Sequence, residues 1–340
     1  MEFYEITLEP LGGFGTPLKG DTLFGHFCWQ ASYDETLLEG GLDGQMRIYP
    51  DHPFLVFSSA FPKVSSGKPA YALKRPDVPF HALISAGGER LERMLLQKHM
   101  KAKKWMLVED LRHIDCRKTR YLTDQELQME ISATAVVNEA EGTRRETDSY
   151  LAAYSQPHNT INRMTQTTNS GMFAPFSAEN LSYMPGLRLA LFVLLDPGAT
   201  DIGRVRKALE RIGSWGYGRD ASTGLGRFSV VDVSSLPLTE TPDANACYTL
   251  APSVPAKEAY TRVCFSPFVR FGKHGDRLAC SRNPFKNPVV MADEGAVLFP
   301  DGEDHFCKPY LGTALRGVSK AAPETVVQGY APYFPIRVEL

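Results

Sequence analysis

Four glycines and an arginine fall within eleven residues, Gly216-Tyr217-Gly218-Arg219-Asp220-Ala221-Ser222-Thr223-Gly224-Leu225-Gly226. Glycines at these positions permit left-handed backbone and let a ligand reach bare amides. Arg219 adds a cation and Tyr217 a π-face. Single-stranded RNA needs just such groups: amides or cations for phosphates, planes for bases. The plainer reading is a tight helix-to-strand connection whose arginine is solvated. The flanks set the order. Asp201 caps a helix with Ile202, Val205, Leu209 and Ile212 on one face, and residues 228–233 alternate as a strand. A Walker loop or dinucleotide fingerprint runs strand, loop, helix, so that phosphate meets a helix N-terminus. The reversed order here argues against both.

Two further clusters carry similar chemistry. Lys19-Gly20-Asp21-Thr22-Leu23-Phe24-Gly25-His26 places a lysine before a helix start, a pairing of cation and backbone donors that suits phosphate. Asp21 as an ordinary cap is the simpler explanation. Gly25 inside the helix costs about 1 kcal/mol against alanine, which predicts a close packing partner or a ligand. The third cluster, His158-Asn159-Thr160-Ile161-Asn162-Arg163-Met164-Thr165-Gln166-Thr167-Thr168-Asn169, is dense in short side chains that bond sugar, phosphate and base edges. A polar surface loop would use the same residues. For catalysis, His26 and His158 could act as base and acid in metal-free RNA cleavage. No Gly-x-Ser-x-Gly elbow and no cluster with metal-ligand spacing occurs. No cofactor is implied.

These clusters need elements to hold them. Residues 3–8 read as an opening strand. Asp21 starts a helix with Leu23, Phe24, Phe27, Cys28 and Ala31 on its apolar face and His26 and Gln30 on another. Residues 53–61 and 187–195 are buried strands, and residues 89–107 form a helix with a basic second half at Lys98, Lys101, Lys103 and Lys104. Ile131, Ala133, Ala135 and Val137 alternate as a strand, and Gly142-Thr143-Arg144-Arg145 makes a turn, so residues 116–150 read as a protruding hairpin. A Pro/Ser/Thr-rich linker at 234–245 divides the chain into residues 1–240 and 246–340. Residues 8–15 and 265–272 share apolar, Pro and Phe-Gly positions, each followed by a Gly-Asp pair (Gly20-Asp21, Gly275-Asp276), which suggests a duplicated β–α unit.

The 340 residues are 43% apolar and 22% charged with net charge −2, the composition of a soluble globular protein. No basic excess advertises nucleic acid, so such binding must use a local surface or a shared complex. Six scattered cysteines without a Cys-x-x-Cys pair point to free thiols in a reducing cytoplasm. The start lacks the pattern of a signal peptide, and no apolar run reaches the ~20 residues of a membrane span.

Together the three clusters resemble the RAMP superfamily of CRISPR effector subunits. Asp-Thr-Leu-Phe-Gly at 21–25, Ile-Asn-Arg-Met-Thr at 161–165 and Gly-Tyr-Ala-Pro-Tyr-Phe-Pro-Ile at 329–336 are most similar to the group that caps the 5′-handle end of the guide crRNA in type III-A Csm complexes. The resemblance implies an α+β fold of two tandem ferredoxin-like (RRM-like) domains, with a β-hairpin thumb in 116–150 and the glycine-rich loop at 216–226. It implies a non-catalytic, cytoplasmic subunit that holds the handle. Its partners would be the polymerase-like large subunit, the backbone RAMP subunits and, indirectly, target RNA. The RNA-binding residues would be Lys19, Gly20, Asp21, His26, His158, Asn159, Asn162, Arg163, Thr165, Gly216, Tyr217, Gly218, Arg219, Gly224 and Gly226. The alternative is a metal-free RAMP endoribonuclease that processes precursor crRNA, with His26 or His158 as base. A purely structural interaction protein leaves the clusters without a purpose.

Overall fold

The computed structural model describes residues 1–65, 69–84, 90–134, 149–168, 171–237, 243–257, 259–302, 306 and 308–340. Its centre is a seven-stranded antiparallel sheet in the spatial order Phe228–Leu236, Glu2–Pro10, Arg188–Leu195, Leu55–Ser65, Pro69–Lys74, Trp105–Val108, Arg120–Leu122. Helix Gly20–Tyr33 packs on Leu55–Ser65, helix Ile202–Trp215 packs on Phe228–Leu236, and the two helices touch each other. Four of the strands and these two helices follow one another as β-α-β-β-α-β, with the fourth strand beside the first and the third between first and second.

The opposite face of this sheet is covered by strand Tyr330–Arg337 of a second sheet. Phe334 meets Phe192 edge-on at 5.1 Å and Phe3 at 6.1 Å. The strand Arg188–Leu195 is therefore covered on both sides, and this is why it reads as an unbroken apolar run rather than an alternating one. Where its register slips between Leu191 and Val193, Ser58 Oγ accepts the freed Phe192 N–H at 2.8 Å. The second sheet runs Tyr260–Cys264, Val297–Pro300, Ala246–Thr249, Tyr330–Arg337, Tyr310–Gly312, with Ile114–Asp115 also paired to Tyr330–Arg337. A separate ribbon pairs Pro267–Arg270 with Val289–Ala292.

Several expectations need correction. Ile131 and Ala133 lie in helix Asp124–Thr134, not a strand; Ala135, Val137 and residues 142–145 lie outside the described residues. The long hairpin that is described is Leu151–His158 with Phe176–Tyr183, downstream of the expected thumb. Residues 105–107, expected to be helical, belong to strand Trp105–Val108. Lys103 and Lys104 lie past the helix, which ends at Ala102; Lys103 is buried against Glu126 at 2.5 Å, while exposed Lys104 pairs with Asp124 at 2.6 Å. Among the described residues after 246 the α-helix is Asp276–Ala279, four residues long. The internal repeat does have a structural echo, since both Gly-Asp pairs open a helix.

Charges close the seam between the units. Asp21 does not cap its helix, whose N-cap is Lys19 without a side-chain bond. Its buried carboxylate instead takes both Nε (2.5 Å) and Nη2 (2.7 Å) of Arg270. Lys19 Nζ donates to Asp293 and Glu294 at 2.6 Å, and Lys74 reaches Asp293 at 3.0 Å. Burial alone would raise the Asp293 carboxyl, but its hydrogen bonds and the two ammoniums hold it well below the usual range. Gln328, fully buried, bonds both backbone groups of Phe57 at 3.0 and 2.8 Å. Removing one side of a buried pair strands the other charge. Arg270→Ala should therefore cost about 3 kcal/mol in urea unfolding, and the Asp21→Asn/Arg270→Met double variant clearly less. Equal losses in both would show that the pair does not set the seam.

Candidate nucleic-acid interface

The glycine loop begins where helix Ile202–Trp215 ends. Asp201 caps that helix as expected, accepting the Arg204 N–H at 2.9 Å, and Gly216 closes it with its N–H on Ile212 O at 2.8 Å. All four loop glycines have left-handed φ, from +73° to +116°. The reason is mostly internal crowding. A Cβ at Gly226 would lie 2.1 Å from the Tyr217 carbonyl oxygen, and one at Gly218 would lie 2.7 Å from Thr16 Cβ. Gly224 and, in the first helix, Gly25 face open space with nothing within 4 Å. The packing partner expected over Gly25 is thus absent. The close partner belongs to Gly20, whose Cβ would strike Phe57 O at 2.2 Å.

Tyr217 presents no face to a base. It is fully buried, its hydroxyl donating to Pro17 O at 2.9 Å and accepting the Lys19 N–H at 3.1 Å. Its ring lies 5.0 Å from that of His26. His26 Nε2 accepts the Gly218 N–H at 3.0 Å, which leaves the ring proton on Nδ1. Burial lowers the His26 pKa to about 4, so the ring is neutral near pH 7 with its lone pair engaged. Arg219 stays exposed, but its side chain is tied back onto the protein. Its Nε donates to Gly15 O at 3.1 Å, its Nη2 to Asn180 Oδ1 at 3.0 Å and to Glu179 O, and its N–H to Thr16 Oγ1 at 3.0 Å. It fastens the glycine loop to Gly15 and Thr16, just past the Gly13–Phe14 strand, and to the base of the long hairpin. Lys19 and Asp21 are spent on the seam.

The third cluster is different. In the hairpin, Phe176–Tyr183 pairs with Gly13–Phe14 only at Leu181 and Ser182, so residues 176–180 and 154–158 continue as a two-stranded ribbon. From Asn180 to Phe176 this is ~13 Å of strand. Beyond it, Asn162 and Thr167 bridge, Asn162 Oδ1 accepts the Met164 N–H at 2.9 Å, and Thr165 and Thr167 hydroxyls meet at 3.0 Å. The side chain of Asn162 shapes this turn and throws Arg163, Met164 (92% exposed) and Thr165 into solvent. Exposed Asn159 precedes it, and His158 stacks on Phe176 at 5.1 Å and 11°.

The expected residues therefore fall into two groups, with Gly224 apart from both. Lys19, Gly20, Asp21, His26, Gly216, Tyr217, Gly218, Arg219 and Gly226 come together as a bonded base. His158, Asn159, Asn162, Arg163 and Thr165 sit at the far end of the hairpin, and Gly224 lies at the open side of the loop. The sequence reading missed Thr16, Asn180 and Phe176. The apolar Phe176 at an outward strand position was the available signal.

No protein-family model matches the chain, and no curated protein matches it. Solved structures do. Over 99% of its length it is similar to 100% of a chain in the Csm3-Csm4 subcomplex of the type III-A CRISPR-Cas interference complex, at 12% identity and TM-score 0.54. It is similar over 100% of its length to 99% of a chain in a Csm1-Csm4 cassette bound to cA4, at 16% identity and TM-score 0.53. The same cassette bound to pppApA gives 17% identity and 0.52, with the same coverage. The chain shares its fold with these chains of type III-A complexes.

His26 allows a pH test. Its folded pKa of about 4 lies below the unfolded value of 6.5, so the folded chain binds fewer protons between those limits and loses stability as pH falls through them. His26→Gln keeps an acceptor for Gly218 without titrating. The stability of wild type relative to this variant should decline by up to about 3 kcal/mol between pH 7 and pH 4. Parallel urea-melt profiles for the two proteins would contradict a buried neutral ring.

Proposed function

We infer that this chain is a non-catalytic RNA-holding subunit of a type III CRISPR effector complex, gripping the 5′ handle of the guide crRNA and docking the polymerase-like large subunit. One observation carries the reading: the fold likeness covers essentially both whole chains, in complexes that pair Csm4 with Csm1 and with Csm3. The β-α-β-β-α-β unit suits the ferredoxin-like half of such a subunit. We read the second sheet as its tandem counterpart and the Leu151–Tyr183 hairpin as the thumb.

In this reading the work divides among the expected residues. Arg163, Thr165 and Asn159, exposed at the tip, meet phosphates and base edges, while Lys19, Tyr217 and Arg219 hold the platform. The open backbone at Gly25 and Gly224 offers close approach beside that platform. A metal-free nuclease is the weaker reading. Its base must take a proton from a 2′-hydroxyl, and the His26 lone pair already accepts the Gly218 N–H.

Co-expressed with a polymerase-like subunit, backbone subunits and a guide, the chain should co-purify in a complex that protects the handle. Arg163→Ala should weaken handle retention roughly tenfold, about 1.4 kcal/mol, without lowering thermal stability, whereas Arg219→Ala should lower stability first. Filter binding and thermal melts separate the two. Unchanged retention in Arg163→Ala would remove the tip from the handle site. Cleavage of precursor RNA by the chain alone, lost in His158→Ala, would establish the nuclease instead.

A further inference from the structure

The ribbon Pro267–Arg270/Val289–Ala292 is patterned inside out. From 265 to 274 exposure alternates strictly, and the outward side chains are Phe265, Pro267, Val269, Phe271 and Lys273. The inward ones are accounted for. Arg270 grips Asp21, Phe268 lies under Lys19 Nζ at 4.5 Å, and Gly272 is backed by the stem of Lys286. On the return strand, Val290 stands opposite Val269 and Phe285 opposite Lys273, so both join the outward face. Phe271 is 76% exposed and Phe285 68%, with Lys273 Nζ 5.6 Å from the Phe285 ring.

Exposed sheet faces are normally polar, and a row of bare rings marks a binding surface. Charge decides for what. Of the five Lys or Arg at 265–290, Arg270 and Lys286 face inward, which leaves exposed Lys273, Arg277 and Arg282 against one acid, Asp276, in a chain of net charge −2. Arg277, 3.9 Å from Asp276, and Arg282 are exposed in the segment that joins the two strands, which also carries Lys273. Rings interleaved with cations are the composition of a stacking platform for nucleic acid, and a ring can stack only on a base that is not already in a helix. We propose that the outward face of this ribbon binds single-stranded RNA, with bases on Phe271 and Phe285 and phosphates on Lys273, Arg277 and Arg282. The surface is separate from the hairpin tip and stands on its own residues.

The full chain, with a fluorescein-labelled twelve-nucleotide oligouridylate, tests this by anisotropy. Phe271→Ala and Phe285→Ala should each weaken binding about tenfold, with unchanged melting temperature because both rings are exposed. Lys273→Ala should flatten the slope of log affinity against log salt by about 0.7. An Arg163→Ala arm separates the two sites: if it weakens oligouridylate binding while the double Phe variant does not, the ribbon proposal falls and the handle reading stands. The reverse pattern upholds the ribbon and counts against the tip. Absence of wild-type binding also overturns the proposal. So does a double Phe variant that keeps its RNA affinity but no longer co-purifies with the other subunits, which would make the ribbon a protein-docking face.

Discussion

The helix Gly20–Tyr33 starts where the two sheets meet, and its first turn is held by charges from the second unit. Asp21 is bidentate to Arg270, and Lys19 is shared between Asp293 and Glu294. Taking these groups out of water is costly, and the cost is offset only when every partner is in place. The arrangement is therefore intolerant of displacement. The seam adds less to stability than its short contacts suggest, yet it fixes how one sheet sits on the other.

Position then propagates along bonded neighbours. The Lys19 N–H donates to the Tyr217 hydroxyl, the next peptide group donates to His26, and Arg219 ties the loop to Gly15 and Asn180. Asn180 belongs to the strand that carries the hairpin, so its base is anchored through the glycine loop to the seam. Among the described residues the tip shows no such anchor, and its own Asn162 bonds shape the turn. A rigid root with a solvated polar end suits a device that must reach a ligand while keeping its register on the body. This also explains why the glycines are needed although most never face solvent: three backbone segments crowd within the space that side chains would occupy.

Much of the scaffold was legible in the sequence. The apolar stripe Leu23, Phe24, Phe27 and Ala31 and the run at 187–195 follow from periodicity, which depends only on local geometry. The Asp201 cap was legible for the same reason. The site was legible as composition but not as contact. Asp21 looked like a cap because its true partner lies 249 residues away, and Tyr217 looked like a stacking residue because its hydroxyl partner lies 200 residues away. A cation at a loop tip reads identically whether it points to solvent or, like Arg219, back to a carbonyl. Within 116–150 the alternation of Ile131 and Ala133 competed with the helix propensity of Asp124-Gln125-Glu126-Leu127, and the helix prevailed because it buries Leu127 and Ile131 together.

The same alternation that misled there is informative at 265–274. A strand has two faces, and a residue cannot change face without shifting the whole register. Arg270 must point inward to reach Asp21, so Val269 and Phe271 must point outward. No slip could hide these rings without breaking the seam. Had the outward face been idle, polar residues there would have cost the seam nothing. Its aromatic and basic character is therefore not a by-product of holding the sheets together, and must be explained by something the chain meets from outside.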